Sequence, residues 1–498
     1  MLSTLVWFPI AGALIIALSG GIFDSKQLRN ISLSIAIATF GWSLFLLTKF
    51  DFGLATMQFS ESLAWLDQIG LSYRLGLDGL SFPLVLLNGL LLILAIYISN
   101  DIKRPNLYFP LMLLLGGGVN GAFLSQNLLL FFLFFEVELI PLYLLIAIWG
   151  GEKRGYAATK FLIYTAISGV LILAAFFGIA AFGSGDVTGF TFNYQDLNLE
   201  GVSKTTKGIL LLLLLLGFGI KIPIVPLHTW LPDAHVEAST PVSTLLAGVL
   251  LKLGTYGLLR FGLGLLPEAW QAIAPFLAGW AVVSVIYGCL TAISQTDMKK
   301  MVAYSSVGHM GYIILALATA TPLSLLGATF QMVSHGLISA LLFILVGIVY
   351  KKTGTRNLNS LNGLLNPERG LPITGSLMIL AAMASAGTPG MVGFIAEFVI
   401  FRSSFAVFPI QTILCMIGTG LTAVYFLIMI DRVFFGRFSV IRDGSDQIVT
   451  SIPFAQWQEK FPAIALALII VFFGLLPNFA TNMIESSAKA IAPNITFQ

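Results

Sequence analysis

Charged residues are scarce in this sequence: they make up 10% of its 498 residues, whereas hydrophobic residues make up 57%. The mean hydropathy is +0.93. A soluble chain of this length needs far more polar surface to cover its core, so the excess apolar side chains must face lipid. The formal net charge of +3 is small and spread along the chain. It gives no support for a nucleic acid partner.

Cysteine is nearly absent as well, and the two that occur, Cys289 and Cys415, each lie inside an apolar run. Two such residues predict no disulfide framework and no iron–sulfur or zinc ligand set. Residues 116–121 (GGGVNG) fit a dinucleotide-binding pattern, but they lie in an apolar run with no preceding strand. We interpret these glycines as helix-packing positions. The sequence therefore predicts no cofactor and no metal on this chain.

Long apolar runs dominate what is present. A membrane span needs about 20 mostly apolar residues. We count fourteen such runs, at 2–20, 27–49, 76–99, 107–125, 127–150, 157–182, 207–232, 240–264, 270–293, 300–320, 323–350, 371–405, 409–434 and 462–482. The first run lacks a basic start and is followed by further runs, so we interpret it as a membrane helix and not as a signal peptide. The pattern predicts an all-α polytopic membrane protein.

The distribution of the 26 Lys and Arg predicts the orientation of the chain. Seventeen lie in or beside loops that follow odd-numbered spans. Seven, Arg260 among them, lie beside even-numbered loops or in the tail. Because basic residues favour cytoplasmic loops, this bias predicts that odd loops are cytoplasmic and that both termini lie on the opposite face. The remaining two, Lys221 and Lys252, lie inside apolar runs.

Lys221 follows a nearly unbroken apolar run, 208–220, which places it roughly 20 Å into its span, near the bilayer midplane. A charge at that depth costs about 2.5–3.5 kcal/mol, so it is usually functional. Pro223 and Pro226 follow and have no N–H to donate, which predicts a helix break that frees the carbonyls of Gly219 and Ile222. The alternative is a simple proline kink with a structural ion pair.

Glu136 follows the apolar run 128–135 and is our candidate partner for Lys221. Glu138 lies two residues further on, about 200° around the helix, so it cannot share the face of Glu136. Structural and functional interpretations of Glu138 stay open.

Further ionisable residues lie in separate spans: Lys252, His309, His335 and Glu397. A lone histidine in a membrane span is often only a packing residue. Lys, His and Glu distributed over several spans at mid-depth can exchange protons if water connects them. Glu397 also follows a break that the glycines and proline at 387–390 predict.

His228 and His235 flank the segment 230–234 (WLPDA), just after the proline break. Their seven-residue separation with a proline between them makes a poor metal-binding pair. We interpret this segment as an interfacial turn that caps and positions the pathway.

Two long stretches carry a family resemblance: 135–151, which begins FEVELIPLY, and 221–235, KIPIVPLHTWLPDAH, running on to Lys252. Supporting matches are 300–311, 334–336 and 389–393. The sequence resembles the chain 4 (D/M-type) membrane subunits of NAD(P)H-quinone oxidoreductase (NDH-1, complex I), in particular the cyanobacterial and chloroplast branch. Features of its loops resemble the paralogues of the CO2-uptake form of that complex.

The resemblance implies fourteen helices with two inverted five-helix repeats and broken helices 7 and 12. The implied divisions are 1–106 (helices 1–3), 107–264 (first repeat, helices 4–8), 265–440 (second repeat, helices 9–13) and 441–498 (loop and helix 14). The implied site is a Glu136–Lys221 pair, central relay groups Lys252 and His335, and a terminal exchange group Glu397. Supporting positions are Glu138, His228, His235 and His309.

The resemblance also implies partners. These are neighbouring antiporter-like membrane subunits and the subunits of a hydrophilic arm, which would hold iron–sulfur clusters and plastoquinone, in a cyanobacterial thylakoid membrane with the termini on the lumenal side. The main alternative is an Mrp-type cation/proton antiporter subunit. A third possibility is a membrane anchor that no longer pumps, for which the buried charges would be dispensable.

Overall fold

The computed structural model describes residues 1–19, 21–185, 189–442, 448–449 and 451–492. Its α-helices are α1 Leu2–Leu18, α2 Ser25–Leu47, α3 Phe82–Ile98, α4 Pro105–Leu124, α5 Leu128–Val137, α6 Leu139–Trp149, α7 Arg154–Gly183, α8 Lys204–Lys221, α9 Trp230–Glu237, α10 Thr240–Leu245, α11 Leu251–Gly257, α12 Pro267–Ile293, α13 Met298–Thr319, α14 Pro322–Thr353, α15 Pro372–Ser385, α16 Val392–Phe405, α17 Pro409–Phe434, α18 Trp457–Leu475 and α19 Asn478–Ile491. Strands are β1 Gln58–Leu66, β2 Leu71–Leu77, β3 Leu361–Asn362, β4 Ser439–Ile441 and β5 Ile448–Val449.

The predicted helical membrane fold is confirmed. Among the described residues, ten helices are long and apolar enough to cross a membrane, and three apolar helices, α1, α3 and α15, are shorter. The count of fourteen spans and the two inverted repeats stay predictions. The strands form two small antiparallel sheets, the hairpin β1–β2 and the sheet β3–β4–β5, in segments that separate apolar runs.

The predicted break after Lys221 is confirmed, since α8 ends there and α9 begins at Trp230. The prediction that the Gly219 carbonyl is freed was wrong. The Ile224 N–H donates to it over 3.1 Å, and the Trp230 indole N–H donates to the Ile220 carbonyl over 2.8 Å. Backbone groups at a break buried in protein must be satisfied, and here local donors satisfy the carbonyls of Gly219 and Ile220. That the Ile222 carbonyl is freed stays a prediction.

The break predicted within 371–405 is confirmed too, between α15 and α16. Gly387 and Gly390 both have positive φ, +69° and +88°, which residues other than glycine rarely adopt. These glycines let the chain turn sharply just before Glu397.

Two irregularities were not predicted. The run at 127–150 is divided into α5 and α6 at Glu138; Pro141 has no N–H to donate to the Val137 carbonyl. Thr240–Leu263 contains two π-helical segments, Leu246–Leu250 and Leu258–Leu263. π-Helical turns are uncommon and often occur at functional sites.

Glycines of α4 allow the close helix packing that the sequence predicts. A Cβ on Gly116 would contact Leu92 of α3, one on Gly117 would contact Ile10 of α1, and one on Gly118 would contact Val137 of α5. Successive glycines thus face three different helices, and α4 is buried along its length among them.

Even-numbered loops contact one another on one face of the protein, and odd-numbered loops contact one another on the opposite face, as the predicted orientation requires. On one face, which we call the terminal face, the Met1 ammonium contacts Glu61, and Asn127 donates to Asn193 over 2.9 Å. On the other, which we call the basic face, Gly151 N–H donates to the Glu237 carbonyl over 2.9 Å. The assignment of the basic face to the cytoplasm stays a prediction.

Arg260 lies at the end of its span, beside an even-numbered loop as predicted, but its side chain is buried and lines a cavity on the terminal face. It lies on the last π-helical turn of Thr240–Leu263 and is only 7% exposed. Its side chain can be buried because the carboxylate of Asp78 pairs with it inside the protein.

Candidate functional site

The first buried ion pair joins Lys221 to Glu138. Lys221 is the last residue of α8 and is 3% exposed, and Glu138, at the junction of α5 and α6, is fully buried. The Lys221 ammonium contacts Oε1 of Glu138. Its Nζ also lies 4.8 Å from the centroid of the Phe135 ring and 5.9 Å from that of Phe161. Low-polarity walls strengthen the attraction within the pair and make its separation costly.

The prediction that Glu136 pairs directly with Lys221 was wrong. Because the two glutamates point about 200° apart, only one of them can face α8, and that one is Glu138. Glu136 is half-buried and packs on α7, where a Cβ on Gly169 would collide with its carboxylate. Glu136 remains within electrostatic range of Lys221 and of Glu138.

We therefore expect Glu138→Gln to impair proton translocation more severely than Glu136→Gln. Glutamine keeps the shape of the side chain and removes the charge that Lys221 contacts. The measurement is proton uptake by vesicles that hold the intact complex. Glu138→Gln combined with Lys221→Met should lose little more than either alone, because residues that act as one unit are not additive. Fully additive losses would contradict a shared step.

The second cluster begins at Lys252, which is completely buried. Its Nζ lies 2.8 Å from Nδ1 of His335 and donates to the carbonyl of Ala247, in the preceding π-helical turn. Within the described part of the chain, no carboxylate forms an ion pair with this lysine. A buried ammonium without a counter-charge is costly, so the site favours release of the proton from Lys252, and His335 is the side chain placed to accept it.

His309 continues the cluster towards Glu397. The rings of His335 and His309 lie 5.6 Å apart between centroids, and Nε2 of His309 lies 3.7 Å from Oε1 of Glu397. The other carboxylate oxygen of Glu397 accepts a bond from Thr419 over 3.0 Å. His309, predicted only as a supporting residue, therefore lies directly between His335 and the predicted terminal group.

The surroundings of His309 suit a proton carrier. Its Nδ1 lies 2.8 Å from the Ser305 carbonyl and its Nε2 lies 3.1 Å from the Ser385 carbonyl. A neutral imidazole donates through one nitrogen only, whereas the protonated ring donates through both. His309 can therefore gain or lose a proton without turning its ring.

Lys221 and Lys252 make no direct side-chain contact in the described structure, although α8 and α11 pack together there. A Cβ on Gly254 would lie 2.7 Å from Cγ1 of Ile222, next to Lys221. The close approach of these backbones leaves the two lysines on adjacent helices. The first step of the relay, from Lys221 to Lys252, stays a prediction.

The segment 230–234 between His228 and His235 is helical, so the prediction of a turn was wrong, while its role in positioning the pathway stays a prediction. Trp230–Glu237 is helical, and most of its apolar side chains are buried. His235 is buried with them and stacks on Phe343, with 4.5 Å between the ring centroids. Neither ring nitrogen of His235 has a hydrogen-bond partner among the described residues. His228 is buried beside Tyr287, 5.0 Å away between centroids.

Sequence reasoning missed a further buried ion pair, Arg260 with Asp78. One guanidinium nitrogen lies 2.7 Å from each carboxylate oxygen, and Nε donates to the Tyr256 hydroxyl over 3.2 Å. Asp78 also accepts from the N–H groups of Leu80 and Ser81 just before α3. The signal for Asp78 was a carboxylate in the turn just before the apolar run of α3.

A family model described as "NADH:quinone oxidoreductase/Mrp antiporter, TM" matches residues 125–422, which include all nine predicted site residues. The chain belongs to this family.

Relatives of the family match over nearly the full chain. "NAD(P)H-quinone oxidoreductase chain 4 1" of Picosynechococcus sp. is 40% identical, with 99% of this chain and 92% of the relative covered. "NAD(P)H-quinone oxidoreductase chain 4 2" of Thermosynechococcus vestitus is 42% identical over 95% of this chain and 88% of the relative.

Solved structures of the family have the same fold. A chain of "Respiratory complex I from Thermus thermophilus with bound NADH" superposes with a TM-score of 0.88 at 26% identity, covering 99% of each chain. A chain of the Mrp complex from Dietzia sp. gives the same TM-score at 20% identity, over 99% of this chain and 98% of that one. The second likeness concerns the fold alone.

Proposed function

We propose that this chain is a proton-translocating membrane subunit of an NAD(P)H-quinone oxidoreductase, and that its buried Lys, His and Glu residues carry the protons. The observation that supports this most directly is the cluster Lys252–His335–His309–Glu397. Three neighbouring contacts place four groups that exchange protons inside a membrane fold. A structural role would need only one counter-charge per lysine, and Lys252 has none among the described residues.

The two lysines have different environments, which suggests different roles. Lys221 is held by Glu138 between aromatic rings, so its charge depends on whether that pair is closed. Lys252 is held by neutral groups, so it can release its proton without breaking an ion pair. Opening the first pair would leave a positive charge on Lys221 that disfavours a second one on Lys252. Opening and closing of the pair would thus drive a proton along the cluster.

Electron transfer belongs to other subunits in this proposal. Iron–sulfur clusters and plastoquinone would lie on partner chains, as the family resemblance implies. Hydrophilic-arm subunits and neighbouring antiporter-like subunits are the proposed partners. The distribution of Lys and Arg supports termini on the non-cytoplasmic side, and a thylakoid location and participation in CO2 uptake are further proposals.

Purification of the tagged full-length chain from its native membrane tests the function. We expect iron–sulfur subunits to co-purify, and we expect proton uptake by reconstituted vesicles to depend on quinone reduction. Small antiporter subunits and sodium-driven proton exchange would instead indicate an Mrp-type protein. Normal pumping after the simultaneous replacement of Lys221 and Lys252 would indicate a membrane anchor.

A further inference from the structure

A cavity of about 490 Å³ opens on the terminal face of the protein. Its outer wall includes the exposed residues Thr56, Ser60 and Gln195, and its floor includes the buried residues Asp78, Gln126 and Arg260. We call this cavity the terminal vestibule. It is separate from the cluster around His309 and Glu397, none of which lines it.

The vestibule is built to hold water. Its lining contains two buried polar atoms with no partner among the described residues, Nε2 of Gln126 and the hydroxyl of Tyr194. Buried polar atoms of this kind are normally satisfied by ordered water, provided that the space is large enough. Gly76 makes room for the Gln126 amide, which occupies the place that a Cβ at residue 76 would take.

The vestibule ends at the pair Asp78–Arg260, which we call the gate pair, and behind it lies Tyr256. Lys252, Tyr256 and Arg260 are spaced four residues apart, so the series runs along the helical segment from the central lysine to the vestibule. The Tyr256 hydroxyl accepts from Nε of Arg260 over 3.2 Å and donates to the Phe123 carbonyl over 3.1 Å. With both bonds made, this hydroxyl cannot donate to any other group.

Building on the proposed function, we propose that the terminal vestibule is a water-filled half-channel that connects Lys252 with the terminal face through Tyr256, and that the gate pair closes it. Arg260 binds Tyr256 only while Asp78 holds the guanidinium in place. Separation of the gate pair frees the hydroxyl to turn from Phe123 towards water. The structure described here has the closed arrangement.

The transfer conserves protons and charge at each step. A water molecule between the two side chains takes the proton from the Lys252 ammonium, which becomes a neutral amine. The Tyr256 oxygen accepts a proton from that water and releases its own to water in the vestibule. Arg260 stays protonated throughout, as guanidinium groups do in proteins, and Asp78 stays ionised as its partner.

Thiol labelling tests whether water reaches the floor. In a chain with Cys289→Ala and Cys415→Ala, we expect Gln126→Cys to react with a membrane-impermeant methanethiosulfonate added from the terminal face. The control is Leu124→Cys, two residues away, fully buried and outside the vestibule, which should not react. Reaction at Thr56→Cys but none at Gln126→Cys would show that the floor is dry and would overturn the proposal.

Decay of a pH gradient tests the gate. Vesicles holding the intact complex are energised, electron transfer is stopped, and the decay rate is measured. Asp78→Asn keeps the shape of the side chain but loosens Arg260, so we expect a severalfold faster decay. Adding Tyr256→Phe should restore slow decay, whereas Tyr194→Phe, which removes another hydroxyl of the vestibule, should not. Where Asp78→Asn fails to assemble, Arg260→Lys takes its place with the same expectation.

A leak that Tyr256→Phe does not suppress, or an unchanged decay rate with either gate variant, would overturn the half-channel. This outcome differs from a failure of the proposed function itself. That failure would appear as normal pumping with Lys252→Met, whatever the gate variants do. Loss of pumping with Lys252→Met together with a dry floor would leave the proposed function standing without the half-channel.

Discussion

Replacing Lys221 with methionine should remove most of the proton translocation of the complex while the chain still inserts and assembles. Methionine has a similar length and carries no insertion cost at mid-depth, so packing around α8 is retained. The ion pair with Glu138 is lost completely. We expect proton uptake to fall by about tenfold or more, since a positioned proton-transferring side chain contributes on the order of 10²-fold or more.

Lys207→Met is the matched control. Lys207 lies on the same helix, is also largely buried at 6% exposure, and also forms an ion pair, 2.8 Å from Glu268. It lies near the start of α8, however, about four turns from Lys221, and its partner is exposed. An ion pair whose carboxylate is exposed to solvent is strongly screened and contributes little, so this variant should pump nearly normally. Equal losses in the two variants would mean that any charge on α8 matters and would contradict a specific role for Lys221.

The two helix breaks could be predicted from the sequence, because they depend on local features. Prolines predicted the break after Lys221, and glycines with a proline predicted the break before Glu397. The depth of Lys221 in its span stays a prediction. Lys252, His335 and Glu397 were singled out as candidates because an ionisable residue inside an apolar run is costly to insert and is therefore usually functional. Neither the distance between His335 and Glu397 nor the place of His309 between them could be read from the sequence.

Which side of a helix faces the interior could not be predicted. Residues 128–137 are apolar all round except for Glu136, so no amphipathic pattern identifies the inward face, and the choice between Glu136 and Glu138 had no local basis. Likewise, Asp78 and Arg260 are 182 residues apart in the chain, and only the packing of the helices brings them together. A carboxylate ahead of one span and a guanidinium near the end of another each resemble ordinary loop charges.

The sharpest test of proton carriage uses two replacements of Lys252. Lys252→Met removes the charge and the exchangeable proton, so it should abolish pumping to about the same extent as Lys221→Met. Lys252→Arg keeps the positive charge, but a guanidinium does not release its proton in proteins. If Lys252 passes its proton to His335, 2.8 Å away, the arginine variant must fail as well.

A purely electrostatic role for Lys252 makes the opposite forecast for Lys252→Arg, because a fixed positive charge would then be sufficient. Both variants should be measured as protons taken up per quinone reduced, with assembly checked by co-purification of the partner subunits. Arginine is larger than lysine, so Lys252→Gln serves as a further uncharged variant of smaller size. Pumping that survives in the arginine variant and fails in the other two would show that the charge matters and that proton release by this residue does not. Failure of all three, in complexes that assemble, would identify Lys252 as a carrier, because the three side chains share only the inability to give up a proton near neutral pH.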